Sequence, residues 1–221
     1  MIKISKNEKL DVEVCRDFYD FSVAGADFAG TIKREHPNIS IENHEHYISE
    51  YYRIHEEEMN VSVEKLSKLV SEKEGALFEA LSKIFGVDLS GNEIGGYISI
   101  FDCNPRYIES KSFQVFYKRP EIEQFAVVAH EVSHFAFFKM CDTVLKNETA
   151  GLDKNSGTLW ELSEMINVLA LNLPEMVALT GKEERLFYAD LAPKYAQLAG
   201  IWKQSKGDAI EATREYLRLA K

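Results

Sequence analysis

The sequence is poor in cysteine, and its few cysteines form no recognisable framework. Only three occur among 221 residues, namely Cys15, Cys103 and Cys141. An odd, widely spaced set excludes a small domain stapled by disulfides and a zinc site made of cysteine pairs. We therefore expect three buried free thiols.

Positive charge and long apolar runs are also scarce. The chain has 26 Lys and Arg against 36 Asp and Glu, a net charge of −10, which disfavours binding to nucleic acids and to anionic membranes. No apolar run reaches the roughly 18 residues of a membrane helix, and the first ten residues lack the apolar core of a signal peptide. We expect a cytoplasmic protein with no nucleic-acid or membrane partner.

The most informative segment is His130-Glu131-Val132-Ser133-His134, which reads H-E-x-x-H. It lies in an apolar stretch that predicts a buried helix, so that the two histidines project from one face. About 0.02 such matches are expected by chance in a chain of this composition. Two neutral imidazoles at this spacing can bind one Zn2+, and Glu131 can act as general base on the metal-activated water. The competing interpretation is a core helix whose histidines hydrogen-bond to the backbone.

The remaining patterns predict an α+β fold that is mostly helical. Apolar periodicity predicts a helix from Val61 to Phe85, and β-branched and aromatic residues predict strands at 95–101 and 112–117. The helix with the H-E-x-x-H motif follows Pro120, and a polar loop covers 142–157. Further helices are expected over 159–173, 183–202 and 208–219, whereas residues 1–60 are hard to assign. We divide the chain into an N-terminal subdomain, 1–141, and a helical C-terminal subdomain, 142–221.

A catalytic zinc site needs a third protein ligand and an open position for water. No histidine follows His134, so a downstream carboxylate is expected. Glu161 and Glu164 lie on one predicted helix. Glu164 is flanked by apolar residues, where a carboxylate is costly unless it binds a cation, whereas Glu161 follows Thr158 by three positions, as in a capping box. Glu164 is therefore the favoured ligand and Glu161 the alternative.

The two motifs together resemble those of gluzincin zinc metallopeptidases. That family combines H-E-x-x-H with a later N-E-x-x-x-[D or A], and Leu162-Ser163-Glu164-Met165-Ile166-Asn167 is similar to the second motif. Ser163 replaces the usual Asn, and Asn167 or Val168 stands where an Asp is typical. The resemblance implies a zincin-like fold, with Glu164 as ligand and an edge strand at 113–117 that pairs with an extended peptide substrate. Asn167 is a candidate partner of a ligating histidine.

A second resemblance is to bacterial zinc proteases that act on phage or radiation-response repressors. It rests on the same H-E-x-x-H and on the ending Leu171-Asn172-Leu173-Pro174, and it implies Glu161 as the ligand. The Ala-Asn pair after the glutamate is missing here. Either resemblance covers about residues 113–175. Cys103 as a third ligand would resemble peptide deformylases, but the motifs of that family are absent.

These observations predict a zinc-dependent metallopeptidase that acts on a peptide or protein. In this interpretation His130, His134 and Glu164 hold Zn2+, and Glu131 transfers the proton. The developing oxyanion needs a further donor, for which Tyr188, Tyr195 and Arg185 are candidates. Two alternatives stay open: a zinc amidase or deformylase-like hydrolase, and a non-catalytic interaction protein with a structural metal.

Overall fold

A computed structural model describes residues 1–220 of the chain. It combines many helices with a small mixed sheet, which confirms the predicted α+β class. The helices are α1 (Glu8–Phe18), α2 (Phe28–Glu35), α3 (His44–Ile54), α4 (Glu56–Phe85), α5 (Glu121–Thr143), α6 (Gly157–Leu171), α7 (Pro174–Thr180), α8 (Ala192–Gln204) and α9 (Ala209–Leu219). The strands are β1 (Ile2–Lys6), β2 (Ser22–Val23), β3 (Ala26–Asp27), β4 (Ile94–Ser99), β5 (Arg106–Tyr107) and β6 (Ser112–Phe116).

The chain forms two compact units that are interleaved along the sequence. The first unit comprises Met1–Glu74 and Asn92–Val128, and the second comprises Gly75–Gly91 and the described chain from Ala129 onward. The predicted division was instead a single cut after residue 141. In this arrangement the H-E-x-x-H segment and all the helices after it belong to the second unit.

The sheet of the first unit has the strand order β1-β4-β6-β5. β4 pairs in parallel with β1 and with β6, whereas β5 is antiparallel to β6. Gly96 of β4 lets its neighbours approach closely, since a Cβ there would lie 2.6 Å from Cδ1 of Ile4 and 3.1 Å from the ring of Phe113. β1 falls in the stretch that the sequence left unassigned, because five residues flanked by polar segments give too short a pattern.

The expected edge position of the strand at 113–117 is wrong. β6 lies between β4 and β5, and the segment before β5 covers the rest of its outer side. The amide of Gln114 donates to the carbonyl oxygen of Pro105 at 2.9 Å, and the amide of Phe116 donates to Oδ1 of Asn104 at 3.0 Å. The donors that an extended peptide would need are therefore already bonded within the unit.

A buried carboxylate joins α1, α3 and the sheet. Asp11 accepts hydrogen bonds from the hydroxyls of Ser99 and Tyr52, the side-chain amide of Gln114 and the backbone amide of Ile100, at 2.5 to 3.1 Å. Complete burial raises the pKa of Asp11 to about 6, although these four hydrogen bonds oppose the rise. Because every partner lies in the first unit, we regard this network as a structural tie within it.

The helices from α4 onward mostly follow the prediction. α4, α5, α6 and α9 lie where helices were expected, and Phe85 at the end of α4 packs edge-to-face on Phe137 of α5 with ring centroids 6.2 Å apart. Pro174 begins α7, where its fixed φ suits the first helical turn. No single helix of the described chain is long and apolar enough to cross a membrane; α6 and α7 pass that test only as a pair, bent by 85°.

The helix expected over 183–202 is wrong in its first third. Residues 182–188 are irregular, and α8 begins only at Ala192, after a 3-10 turn at Ala189–Leu191. The reason is that side chains bond the backbone there. The amide and carbonyl of Glu184 bond to Oδ1 and Nδ2 of Asn172 at 2.8 and 2.9 Å, and the hydroxyl of Thr180 donates to the carbonyl of Lys182 at 3.0 Å.

Candidate metal centre

α5 presents the two histidines of the motif from one face. Acidic residues in its first turn, Glu121 and Glu123, favour the helix N-terminus, and the apolar residues that follow bury the helix. The four-residue spacing brings Nε2 of His130 within 3.1 Å of Nε2 of His134. The side chain of His134 is fully buried, whereas that of His130 keeps 18% of its surface exposed. His130 is thus partly exposed to solvent, and His134 is not.

α6 brings the carboxylate of Glu164 to the same point. Its Oε2 lies 3.7 Å from Nε2 of His130 and 3.6 Å from Nε2 of His134. Only 4% of Glu164 is exposed, as its apolar flanks predicted. The three side chains form a group whose ligand atoms all lie within 4.8 Å of one another.

The spacing of these three atoms fits a small divalent cation. A point equidistant from the two nitrogens and the oxygen lies about 2.0 Å from each, which is the length of Zn–N and Zn–O bonds. Two imidazoles and a carboxylate are also ligands that zinc accepts in proteins. The residues present therefore fit a zinc ion, and they would fit other divalent transition metals of similar size.

The electrostatics of the site favour added positive charge. Burial lowers the pKa of His130, but the carboxylates of Glu164, Glu131 and Glu184 outweigh it and raise that pKa to about 9. A proton on His130 is one way to offset these anions. A divalent cation is another, because it is attracted by the same carboxylates.

Glu161, the alternative third ligand, is engaged elsewhere. Its Oε2 lies 2.5 Å from Nζ of Lys194, on α8. Glu161 is not part of the group formed by His130, His134 and Glu164. Cys103 is not part of it either. It belongs to the first unit, where burial raises the pKa of its thiol. The structure therefore brings Glu164, and neither of the other two residues, to the histidines.

Two further residues of the motifs are buried beside the ligands. Glu131 is 5% exposed and close enough to His130 to raise its pKa. Asn167 is fully buried on α6, and its Nδ2 donates to the carbonyl oxygen of His130 at 3.4 Å. Asn167, which was expected to be a partner of a ligating histidine, thus contacts the backbone of His130.

The candidate oxyanion donors lie on the segment around α8. The ring of Tyr188 packs edge-to-face on Trp160 of α6, with centroids 5.0 Å apart, and Arg185 is exposed. Tyr195 is partly buried, which raises the pKa of its hydroxyl and keeps it a donor. The role of these three side chains in stabilising an oxyanion stays a prediction.

The structure adds one residue that the sequence did not indicate, Glu184. Its Oε1 lies 3.9 Å from Nδ1 of His130, the ring nitrogen that does not face Glu164. The sequence did not indicate Glu184 because 183–202 was expected to be one helix and no motif included this residue. A loop residue twenty positions after Glu164 has no periodic pattern that would place it at the site.

The chain was compared with protein-family models, with curated proteins and with solved structures, and none of them matches.

Proposed function

We propose that this protein is a zinc-dependent metallopeptidase with a zincin-like, gluzincin-type site, and that its substrate is a peptide or a protein. The observation that carries the proposal is the convergence of Nε2 of His130, Nε2 of His134 and Oε2 of Glu164 around a point about 2.0 Å from each. These residues would hold the ion, as the resemblance to gluzincins implies.

When bound, zinc supplies a lowered pKa for a coordinated water and polarisation of the substrate carbonyl. Glu131 would accept a proton from the attacking water and pass it to the leaving nitrogen. Glu131 suits this task because it follows His130 in the helix and is buried. A carboxylate screened from solvent would exchange protons with a water or substrate bound at the site. Substitution of such a general base usually lowers the rate by about 10²–10⁴-fold.

A catalytic role is favoured over a purely structural one by the number of ligands. Structural zinc sites have four protein ligands, whereas this group contains three among the described residues. The side chain of His130 is also partly exposed to solvent. A structural site also does not require a buried carboxylate, such as that of Glu131, directly after its first ligand.

The test combines the metal content of the purified chain with its hydrolysis of a mixed peptide library and of small N-acyl compounds. We expect about one zinc per chain and zinc-dependent cleavage. Glu131→Gln should retain the zinc and lose about 10²–10⁴-fold in rate. Glu123→Gln, two turns earlier on the same helix, is the matched control and should cleave like the wild type.

Three results would contradict the proposal. If the wild type binds no zinc, the H-E-x-x-H segment is a buried helix with a structural role only. If it binds zinc but cleaves only small N-acyl compounds and no peptide, the enzyme is an amidase or deformylase-like hydrolase instead. Zinc without hydrolysis of either class would indicate an interaction protein with a structural metal.

A further inference from the structure

The two ring nitrogens of His130 face two different carboxylates. Nε2 lies 3.7 Å from Oε2 of Glu164, and Nδ1 lies 3.9 Å from Oε1 of Glu184. The second distance is that of an ion pair and is longer than a hydrogen bond of about 2.7–3.2 Å. Glu184 is partly buried, with 22% of its side chain exposed, so its charge is only partly screened by solvent.

The backbone around Glu184 is fixed by α6, the helix that also carries Glu164. Both polar atoms of the Asn172 side chain bond the main chain of Glu184, at 2.8 and 2.9 Å. Four residues after Glu184, the ring of Tyr188 packs on Trp160 near the start of the same helix. The irregular segment 182–188 is therefore attached at Glu184 to Asn172, the C-cap residue of α6, and at Tyr188 to α6 itself.

We propose that Glu184 is a positioning residue for the metal ligand His130. By attracting the Nδ1–H group, its carboxylate selects the tautomer whose Nε2 is free to bind zinc and limits rotation of the ring. This inference rests on the proposed function, because it assigns Nε2 to the metal. Asn167 bonds the backbone carbonyl of His130, whereas the carboxylate of Glu184 lies near Nδ1 of its ring.

Glu184 is not itself a fourth ligand. It is absent from the group of side chains whose ligand atoms converge, and it approaches the ring nitrogen that does not face that group. Its effect on zinc must therefore pass through His130. Partners of this kind typically change metal affinity by about 10–100-fold.

The experiment measures the zinc Kd of the full chain by competition with a chelator. We expect Glu184→Ala to weaken zinc binding about 10–100-fold and Glu184→Gln, which keeps an acceptor without the charge, to weaken it less. Glu183→Ala is the matched control, because Glu183 is the exposed neighbour in the same irregular segment. It should bind zinc within about twofold of the wild type.

A second measurement separates positioning from a general loss of structure. In the zinc-loaded wild type, nitrogen-detected NMR should show His130 with its proton on Nδ1 and slow exchange of that proton. Glu184→Ala should accelerate the exchange. The thermal unfolding midpoints of the metal-free Glu184→Ala and Glu183→Ala variants should agree.

The outcomes keep the two proposals apart. Equal zinc affinities and equal proton exchange in Glu184→Ala and Glu183→Ala would overturn the role of Glu184 and leave the peptidase proposal standing. If the wild type binds zinc but hydrolyses nothing, and Glu184→Ala binds zinc more weakly, only the peptidase proposal would be overturned. A wild-type chain that binds no zinc would overturn both.

Discussion

Replacing Glu164 by Gln removes the charge of one proposed ligand with little change in shape. Structural zinc sites with four ligands bind with about 10–16 kcal/mol, so one ligand contributes on the order of 3 kcal/mol. The zinc Kd of Glu164→Gln should therefore rise on the order of a hundredfold. Burial of Glu164 beside His134 supports this magnitude, because solvent cannot easily replace the lost ligand.

The weakened binding has a measurable effect on stability. At a zinc concentration 100 times the wild-type Kd, the bound ion stabilises the wild type by about 2.7 kcal/mol but the variant by only about 0.4 kcal/mol. For a chain of this size, 1 kcal/mol shifts the Tm by about 2–4 °C. Zinc should raise the Tm by about 5–10 °C in the wild type and by about 1 °C in Glu164→Gln.

The matched control is Glu161→Gln, three residues earlier on α6. Its carboxylate pairs with Lys194, and half of the Lys194 side chain is exposed. Loss of this ion pair should therefore lower the free energy of unfolding by at most about 1 kcal/mol. Zinc should raise its Tm as in the wild type. The reasoning would be refuted if Glu161→Gln abolished the zinc-induced shift while Glu164→Gln preserved it, because the ligand would then be Glu161.

Three further predictions concern the scaffold. Phe137→Ala, which empties a fully buried site beside Phe85, should lower the free energy of unfolding in urea by about 3–5 kcal/mol. Gly96→Ala should destabilise the chain by about 1–3 kcal/mol in the same assay, because its Cβ meets a neighbouring side chain at 2.6 Å. Gly75→Ala in the open interior of α4 is its control and should stabilise by about 0.5–1 kcal/mol. For Asp11, the folded pKa of about 6 exceeds the ordinary 3.8, so its protonated form stabilises the fold below pH 3.8. That contribution, about 3 kcal/mol, is lost as the pH rises through 6. Urea unfolding from pH 3.5 to 7 should therefore show the stability of the wild type falling relative to that of Asp11→Asn. A difference between the two that stays constant over this range would contradict the prediction.

Local sequence patterns were sufficient to predict the helices that carry the two histidines and Glu164. The two histidines of H-E-x-x-H are four residues apart and share a face only in a helix, and this segment lies in the helix α5. Glu164 could be separated from Glu161 because a carboxylate among apolar neighbours needs a cation, whereas one at the rim of a helix does not. The structure places Glu164 at the histidines and Glu161 on Lys194.

Features that depend on distant partners could not be read from the sequence. β6 has the alternating pattern of a half-buried strand, but the pattern does not show that β5 and the preceding loop cover its outer side. The helix expected from Glu183 is replaced by an irregular segment because Asn172 bonds the backbone of Glu184. Both errors arise from tertiary hydrogen bonds that override local propensity.

The position of α6 against the histidine segment of α5 decides whether the centre can form. α6 supplies the carboxylate of Glu164, and through Asn167 it bonds the carbonyl of His130 at 3.4 Å. Through Asn172 it also holds the segment that brings Glu184 to the other side of the His130 ring. A small shift of this one helix would therefore move the proposed third ligand, Glu164, and the proposed positioning residue together. The rigidity of the site follows from the packing of α6, where ten of its fifteen residues are buried.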